Sequence, residues 1–522
     1  MPVFAAATVF TLVVLLYIPT LRGGFVYDSI AQILYSDYIH TPSHWADVLT
    51  LRVVAQDELD RNRPMHLASL MLDAAIWGKN PFGYRLTSVL LHALNAALLC
   101  ALIALVLKGR TAVAGDGDAT DFVAAASSPP VVFLAAAFGA LIFALHPLVV
   151  EAVAEPSNRE DLLVLLPMLV GLLFIATEQR HSCRLLSAVL IITSFFAVLA
   201  KESGAAVPVV FAVASWLLGS FRRCWPVLVG GLLTAVAFLV ASYVWRPEAS
   251  SIFAHAPRGL AADFWSLLSL QSRIWTLQLW QIIWPWSLSA HYTAEVIADI
   301  SVPVAAAALS LAALVSVFAS RANRLAALGI SVYVLCLLPA SNFAAQYHPI
   351  ADRYLYVPLA GLGMIAAAIV HRLSIRYSSC FAGGAIIAGL LLLLCFEYAA
   401  SLRRQLIWQQ PGALWSNVLR QYPNMSQALI GMANVHYRAG DFQAARAAAT
   451  EAVVSSGGGW ADAWALRAIC EWQTAATEQA VQSLRQARKL SRVYSDEKSV
   501  AEAMILSPEQ VAVLVEISAT SR

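Results

Sequence analysis

The most constraining feature of this sequence is a series of eleven apolar segments, each close to the length that an α-helix needs to cross a lipid bilayer. Backbone groups inside hydrocarbon must hydrogen-bond to one another, which a helix achieves within a single segment. The sequence therefore predicts an all-α fold, a polytopic membrane helical bundle of about 11 spans. The predicted spans are Val3–Leu21, Tyr84–Leu107, Val131–Leu145, Leu162–Ala176, Leu185–Leu199, Ala205–Leu218, Trp225–Val244, Val302–Phe318, Leu325–Leu338, Leu355–Val370 and Phe381–Phe396.

Composition excludes several other classes of protein. Of the 522 residues, 59% are hydrophobic and 13% are charged, whereas a soluble globular domain carries about 25% charged residues. This excludes a water-soluble enzyme, a disordered chain and a secreted disulfide scaffold. The net charge is only +2, from 34 basic and 32 acidic residues. We therefore expect membrane lipid around the chain and no nucleic-acid partner.

Basic residues in the short loops predict the orientation of the spans, because cytoplasmic loops carry an excess of Lys and Arg. If the N-terminus is cytoplasmic, each short inner loop holds two basic residues, whereas the short outer loops hold one each. The predicted inner residues are Lys108, Arg110, Arg180, Arg184, Arg222, Arg223, Arg321, Arg324, Arg372 and Arg376. We therefore expect an integral, multi-pass membrane protein with a cytoplasmic N-terminus.

Two predicted outer loops are long, at residues 22–83 and 246–301. Loops of more than about 15 residues usually are functional or contain structure of their own. Within the second loop, Asp263–Trp286 is rich in tryptophan and has polar residues at helical spacing. We interpret it as a helix lying at the membrane interface, where tryptophan is favoured. A twelfth helix that spans or half-inserts is the alternative.

The last part of the chain, 401–522, differs in composition from the transmembrane domain at 1–400. It matches the tetratricopeptide pattern, in which small residues let the two helices of a repeat pack closely. We predict a C-terminal α-solenoid of tetratricopeptide-like repeats on the outer side, periplasmic in a bacterium or lumenal in a eukaryote. An ordinary helical hairpin is the alternative. The matching residues are Leu429, Met432, Ala433, Tyr437, Gly440, Asp441, Phe442, Ala445, Ala449 and Ala452, with Trp464, Ala480, Leu484 and Ala487 in a second, degenerate unit.

Four ionisable residues on the predicted outer side are the first candidates for a functional site: Asp28, Glu151, Lys201 and Arg353. Ionisable groups near hydrocarbon are expensive and often mark function. Taken singly, the carboxylates could be helix caps and the cations could extend to the interface. Taken together, they suit a lipid-linked anionic substrate, because a carboxylate can activate a hydroxyl and cations can stabilise a phosphate leaving group.

Five further residues near these four are predicted to support the site. A helix-capping cluster is the alternative for Arg159, and ordinary loop chemistry is the alternative for Arg63. The five are Arg63, His146, Arg159, Glu202 and Asp352. None of the sequence carries a C-x-x-C pair or another metal-ligand spacing, so no cofactor is assigned, and dependence on a divalent metal stays open.

An ordered set of short motifs resembles the transmembrane and tetratricopeptide-repeat O-mannosyltransferase-like family, within the GT-C glycosyltransferase superfamily. The resemblance covers most of the chain and ends with the repeats. The motifs are Phe25–Asp28, Arg63-Pro64, Tyr84–Thr87 with His92 and Asn95, Phe143–Ala154, Asn158–Leu163, Lys201–Gly204 and Ala351–Pro358.

The resemblance implies a GT-C-like transmembrane domain that transfers a sugar, commonly mannose, from a polyprenyl-phosphate donor with inversion at the anomeric carbon. It implies that Asp28 is the catalytic aspartate of the first loop and Glu151 the acid of the second. Lys201 and Arg353 resemble positions suited to the donor phosphate. Members of the family often have two adjacent acids where this chain has Asp28 and Ser29, which leaves open any role that needs the second acid.

We therefore expect an integral-membrane inverting glycosyltransferase with a protein or glycan acceptor, the most direct choice being protein Ser or Thr. Two other classes stay open. One is a catalytically inactive scaffold whose repeats recruit a partner protein. The presence of Ser29, where members of the family often have an acid, would fit an enzyme that has lost its activity. The other is a lipid-linked sugar transporter, although transporters tend to hold charges at mid-membrane on broken helices.

Overall fold

A computed structural model of the chain describes residues 2–56, 58–108, 128–245, 264–292, 294–301, 303–306, 308, 323–342, 348–377, 380–495, 500 and 506–520. Most of the predicted span Val302–Phe318 lies outside these residues, as do the predicted inner-loop residues Arg110 and Arg321 and residues 246–263 of the second long loop. The described residues contain α-, 3-10 and π-helices and no strand. The prediction of an all-α, polytopic membrane fold is thus confirmed.

The α-helices are numbered in chain order. They are α1 Pro2–Leu16, α2 Trp45–Leu49, α3 Pro64–Trp77, α4 Pro81–Lys108, α5 Pro129–Leu145, α6 Val150–Ala154, α7 Glu160–Ala176, α8 Cys183–Ala200, α9 Val207–Leu218, α10 Phe221–Val244, α11 Phe264–Ile283, α12 Ala294–Ala298, α13 Arg324–Leu337, α14 Tyr356–Arg376, α15 Cys380–Ile407, α16 Pro411–Gln421, α17 Ser426–Arg438, α18 Phe442–Ser455, α19 Ala461–Gln473, α20 Thr477–Leu490 and α21 Pro508–Thr520.

Six stretches among the described residues are long and apolar enough to cross a membrane, namely Val3–Arg22, Pro81–Lys108, Cys183–Ala200, Phe221–Val244, Asp352–Arg376 and Gly383–Ile407. A seventh is formed by α5 and the helical turn Pro147–Ala154 if this pair, bent by 53°, counts as one span. The helices α7, α9 and α13 are shorter, with 17, 12 and 14 residues. The count of eleven stays a prediction, whereas the multi-pass character is confirmed.

The chain divides into two compact units. The first comprises Met1–Arg22, Tyr38–Leu288 and Ala294–Gln405, and the second comprises Gly23–Asp37, Ser289–Thr293 and Leu406–Arg522. The predicted domain boundary after residue 400 stays a prediction, as does the assignment of tetratricopeptide repeats. In the second unit, paired helices from α17 to α20 enclose an apolar core of small residues and leucines, including Ala433, Ala445, Ala449, Leu466, Ala480 and Leu484.

Two pairs of glycines let α14 pack closely on its neighbours in the first unit. A Cβ atom on Gly139 of α5 would lie 2.3 Å from the carbonyl oxygen of Gly363, and one on Gly361 would lie 2.2 Å from that of Gly329 in α13. No side chain fits at these distances. Helices in membranes often associate through such small residues, because close approach of the backbones maximises van der Waals contact.

A buried polar network connects α1, α4, α5 and α14. The Tyr356 hydroxyl donates to His92 Nδ1 at 2.9 Å and accepts from Asn95 Nδ2 at 3.2 Å. His92 Nε2 and the Tyr17 hydroxyl both donate to the carbonyl oxygen of Ala144, at 3.1 and 2.9 Å. Buried polar groups that satisfy one another in this way specify a single packing arrangement. The two motif residues of α4, His92 and Asn95, therefore hold the bundle together.

The tryptophan-rich segment predicted at Asp263–Trp286 forms α11. Its buried face carries Gln271 and Gln278, whereas Trp265 and Trp280 are exposed. Gln271 Oε1 accepts from the backbone and side-chain nitrogens of Asn342 at 3.0 and 3.1 Å. The helix is not among the stretches apolar enough to cross a membrane. Its location at the membrane interface stays a prediction.

Candidate functional site

A bend after α5 places Glu151 in the interior of the first unit. Pro147 begins a 3-10 turn, and His146 caps that turn by accepting the backbone N–H of Leu148 at its Nδ1, 3.2 Å away. His146 Nε2 then donates to the carbonyl oxygen of Ile282 at 3.1 Å. Both ring nitrogens are thus used for structure, and His146 holds the turn that carries Glu151.

Glu151 and Arg353 form a buried ion pair. Nη1 of Arg353 donates to Oε1 of Glu151, and Asn158 Nδ2 lies 3.5 Å from the same oxygen. Glu151 is fully buried and Arg353 is 8% exposed. Removing one member of such a pair leaves an uncompensated buried charge, which is strongly destabilising. Each of these two predicted site residues therefore depends on the other for its position.

Lys201 lies where α8 ends, and it pairs with the first turn of α7. Its Nζ is 2.6 Å from Oδ2 of Asp161 and 3.4 Å from Oε1 of Glu160. The chain turns tightly just after Lys201. Position 204 needs glycine, because a Cβ atom there would lie 2.1 Å from the carbonyl oxygen of Ala197. The Lys201–Gly204 motif thus combines a buried cation with the glycine that lets the backbone turn beneath it.

Arg63, in the first long loop, extends this arrangement. Its guanidinium lies 3.0 Å from Asp60, 3.2 Å from Glu160 and 3.1 Å from Glu202. Glu160 is consequently shared between Arg63 and Lys201. We refer to the connected set as the ion-pair cluster, which consists of Asp60, Arg63, Glu160, Asp161, Lys201 and Glu202.

The aromatic ring of Tyr354 lies beside both predicted phosphate-binding cations. Lys201 Nζ is 5.6 Å from the ring centroid, and the Arg353 guanidinium carbon is 5.4 Å from it. Cations within about 6 Å of an aromatic face are attracted by its quadrupole. The structure therefore brings Lys201, Arg353 and Glu151 into one neighbourhood of the first unit, and Tyr354 is a residue of this neighbourhood that the sequence reasoning did not select.

Charge in the ion-pair cluster is unbalanced, since four carboxylates face two cations. Burial raises the pKa of Glu160, but Lys201 and Arg63 outweigh it and lower that pKa to about 2. Burial lowers the pKa of Lys201, but Asp161 and Glu160 outweigh it and raise that pKa above its ordinary value. Glu160 and Lys201 are therefore both charged at neutral pH, and Lys201 already pairs with two carboxylates.

Arg159 is held apart from the cluster by its own partner. Its Nη2 is 2.6 Å from Oδ2 of Asp73 and donates to the carbonyl oxygen of Tyr84, also at 2.6 Å, while Nε donates to Ser88 Oγ at 3.1 Å. Arg159 is fully buried, so it fastens α7 to α3 and α4. Sequence reasoning missed Asp73, although it is the single acid in the apolar helix α3 and so carries the signal of a buried charge.

Asp352 is likewise paired for structure. Its Oδ2 is 2.9 Å from Nη2 of Arg404 in α15, and Arg404 Nη1 donates to the carbonyl oxygen of Leu288 at 3.2 Å. Both side chains are buried. Asp352 therefore fixes the start of α14 against α15, next to Arg353. The sequence gives no local sign of Arg404 as the partner, because 52 positions separate the two residues.

Asp28 belongs to the second unit. The segment around it is held by a hydrogen bond of 2.9 Å from Gly24 N to Gln409 O, and the Tyr27 ring lies 5.9 Å from that of Trp408 and 5.6 Å from that of Trp415. Tyr27 has a left-handed backbone with φ of 48°. Asp28 is half-buried, and Ser29 is fully buried. Asp28 thus lies on a turn that is fixed by the aromatic side chain before it.

No group of three or more His, Cys, Asp or Glu side chains that could hold a metal ion occurs among the described residues.

His66, at the start of α3, provides a pH test of the charged neighbourhood. It is fully buried, and its charged neighbours are Asp60, 3.9 Å away, with Glu160, Arg159 and Arg63. Burial lowers the pKa of His66, against the opposite pull of the two carboxylates. Below about pH 6.5 the histidine ring of the unfolded chain binds a proton. The buried ring of the folded chain is still neutral just below this pH, because its pKa is lower. The unfolded state then binds more protons, so stability falls as the pH drops below that value.

We therefore expect the melting temperature of the wild type to fall more between pH 7.5 and pH 5.5 than that of His66→Gln, which cannot titrate in this range. The measurement is thermal unfolding of both proteins in the same detergent at several pH values. Equal pH dependence of the two proteins would show that His66 is not a buried neutral histidine.

No family model matches the chain, and no solved structure matches it. It is 26% identical over 322 residues to Protein O-mannosyl-transferase F38B6.6 of Caenorhabditis elegans, covering 59% of this chain and 43% of that protein. It is 28% identical over 188 residues to Protein O-mannosyl-transferase TMTC1 of Mus musculus, covering 35% of this chain and 18% of that protein. The matched regions span less than half of either relative. The predicted resemblance to the transmembrane and tetratricopeptide-repeat O-mannosyltransferase-like family is thereby confirmed, and the chain is a relative of these proteins.

Proposed function

We propose that the chain is an integral-membrane glycosyltransferase that moves mannose from a polyprenyl-phosphate donor to a Ser or Thr hydroxyl of a protein, with inversion at the anomeric carbon. The observation that carries the proposal is that two cations, Lys201 and Arg353, lie beside the same ring, that of Tyr354. The chain is also similar to two proteins named as O-mannosyl-transferases. The N-terminus would then be cytoplasmic, with the repeats on the outer side.

The donor phosphate would bind Lys201 by exchange with Glu160. Lys201 is closest to Asp161, at 2.6 Å, and its contact with Glu160 is longer, at 3.4 Å. An ammonium group has three N–H donors, so it can keep Asp161 while turning a second donor to a phosphate oxygen. Glu160 stays paired, because Arg63 is 3.2 Å away. Arg353 supplies a second cation, and Glu151 positions it.

In the proposed reaction, Asp28 takes the proton from the acceptor hydroxyl. The acceptor oxygen forms a bond to C1 of the sugar while the bond from C1 to the phosphate oxygen breaks, which releases polyprenyl phosphate. Lys201 and Arg353 stabilise the negative charge that develops on that phosphate oxygen. Attack from the face opposite the phosphate inverts the configuration at C1.

The experiment that tests this function is a transfer assay with the purified chain in lipid nanodiscs, a panel of radiolabelled polyprenyl-phosphate sugars and Ser- or Thr-containing peptides. We expect a mannosylated peptide from polyprenyl-phosphate mannose and little product from donors with other sugars. An inactive scaffold would give no product with any donor. A transporter would move the labelled lipid across proteoliposome membranes without forming glycopeptide, and either result would refute the proposal.

Lys201 provides a test of donor binding within the same assay. We expect Lys201→Ala to raise the KM for the lipid donor by at least tenfold, because the phosphate loses a charge-assisted hydrogen bond. Lys201→Arg keeps a cation and is expected to retain part of the donor affinity. Since both variants disturb the same carboxylates, their melting temperatures serve as the control for folding. An unchanged donor KM in Lys201→Ala would remove Lys201 from the phosphate site.

A further inference from the structure

A cavity of about 210 Å³ lies next to the ion-pair cluster, between the first long loop and α10. Its lining consists of Arg61, Asn62, Glu202, Phe238, Leu239, Ser242 and Tyr243. Glu202 belongs both to this lining and to the ion-pair cluster, where its Oε2 accepts from Arg63 Nε at 3.1 Å. Three successive ion pairs therefore connect the cavity to Lys201, from Glu202 through Arg63 and Glu160.

Two polar oxygens at this cavity, Ser242 Oγ and Asn62 Oδ1, are buried and have no hydrogen-bond partner among the residues that the structure describes. The serine is informative because hydroxyls in membrane helices usually donate to the carbonyl four residues earlier. Thr234, two turns earlier on α10, does so, at 2.8 Å from Gly230 O. Ser242 is 6% exposed and lacks this bond. A buried hydroxyl without a partner is costly, and a ligand in the cavity would remove that cost.

The chemistry of the lining selects the class of ligand. The guanidinium of Arg61 and the carboxylate of Glu202 balance in charge, and the remaining polar groups are an amide, a hydroxyl and a phenol. Phe238 and Leu239 supply an apolar wall. Sugar hydroxyls donate and accept hydrogen bonds, while the C–H groups of a pyranose form an apolar face. The lining therefore matches a neutral sugar, because its balanced charges give no net attraction for the phosphate of an anionic lipid headgroup.

The size of the cavity limits the ligand further. The volume of about 210 Å³ lies below the range of about 300–1,000 Å³ that is typical of pockets for drug-sized ligands. This volume suits one monosaccharide ring.

From these observations we infer that the cavity lined by Asn62, Glu202 and Ser242 binds a single hexopyranose ring. The inference rests on the proposed transferase function only for the choice of mannose as the probe. The ring could belong to the lipid donor or to a glycosylated acceptor, since the chemistry of the lining is the same for both. In either case the ring lies next to the ion-pair cluster, because Glu202 belongs to both.

The test uses saturation-transfer difference NMR with methyl α-D-mannopyranoside and the full chain in phosphatidylcholine nanodiscs. We expect the ring protons of the probe to be saturated by the wild type, with the signal lost in Ser242→Trp, which fills the cavity, and reduced at least threefold in Asn62→Ala. The matched control is Val240→Trp, an exposed position on the same helix that is absent from the lining. We expect it to keep the wild-type signal. Thermal unfolding confirms that each variant is folded.

The result that overturns the inference is the absence of a probe signal in the wild type, or an equal signal in the wild type and in folded Ser242→Trp. If Ser242→Trp is unfolded, the signal of Asn62→Ala decides in the same way. Displacement of the probe by polyprenyl-phosphate mannose identifies a donor subsite, and displacement by a mannosylated peptide identifies an acceptor subsite; both support the inference. Displacement by anionic phosphatidylglycerol alone would overturn it.

The outcome is separate from that of the transferase assay. A saturation signal that depends on Ser242 supports the sugar site even if no transfer is found. Conversely, transfer with unchanged KM values for donor and acceptor in Ser242→Trp would leave the proposed function intact and refute the cavity as its sugar site.

Discussion

Replacing Asp28 with asparagine is expected to lower the rate of sugar transfer by about 10²–10⁴-fold, the usual contribution of a general base. The amide keeps the size of the side chain and its capacity to accept a hydrogen bond at one oxygen, but it cannot take a proton at neutral pH. We expect kcat to fall and the KM of the lipid donor to stay within about twofold, because the predicted phosphate contacts are made by other residues. Initial rates at varied donor concentration separate these two effects.

The matched control is Asp37→Asn, an exposed acid in the same segment of the second unit. It should transfer sugar at the wild-type rate. If Asp28→Asn retained full kcat, Asp28 would have no part in the chemistry, and the resemblance at Phe25–Asp28 would reflect only the turn fixed by Tyr27.

Arg159→Ala is expected to have the largest effect on stability, about 3–5 kcal/mol, since it leaves Asp73 as a buried and uncompensated charge. The substitution also removes the donors that Tyr84 O and Ser88 Oγ use. Arg52→Ala is the matched control, because Arg52 is exposed in the first long loop, which also contains Asp73, and surface substitutions usually change stability by less than about 0.5 kcal/mol. Thermal or denaturant unfolding in a fixed detergent measures the difference.

A double variant distinguishes a charge effect from a loss of packing. Arg159→Met with Asp73→Leu removes both charges while preserving much of the apolar volume, and such replacements of a buried pair are often neutral. We expect the double variant to recover most of the stability that Arg159→Ala loses. If it is as unstable as the single variant, the hydrogen bonds to α4 matter more than the ion pair.

These two predictions assign different roles to residues that look alike in the sequence. Arg159 and Lys201 are both single basic residues in short loops on the predicted outer side. Arg159 is fully buried and saturated by a carboxylate, a carbonyl and a hydroxyl. Lys201 forms ion pairs with two carboxylates, and one of these, Glu160, also forms an ion pair with Arg63. Lys201 can therefore turn from Glu160 towards a substrate phosphate, and this property depends on packing.

Hydrophobic length and charge position in the sequence predicted the helical character, the multi-pass membrane class and the residues worth testing. Length is readable from sequence because each span satisfies its own backbone hydrogen bonds, so its helix depends on local composition. The bends between helices were harder to predict from the sequence. Pro147 marks the start of the turn that carries Glu151, but the capping of that turn by His146 depends on Ile282, which lies 136 positions away.

The partners of the charged residues were decided by tertiary structure alone. Arg353 pairs with Glu151 across 202 positions, Arg63 with Glu160 across 97, and Lys201 with Asp161 across 40. The sequence determined that few charges exist and that they follow the ends of apolar helices. Which acid meets which base depends on how these helices pack, because a buried charge is stabilised only by a partner within a few ångströms, and close contacts such as that of Gly139 with Gly363 set those distances.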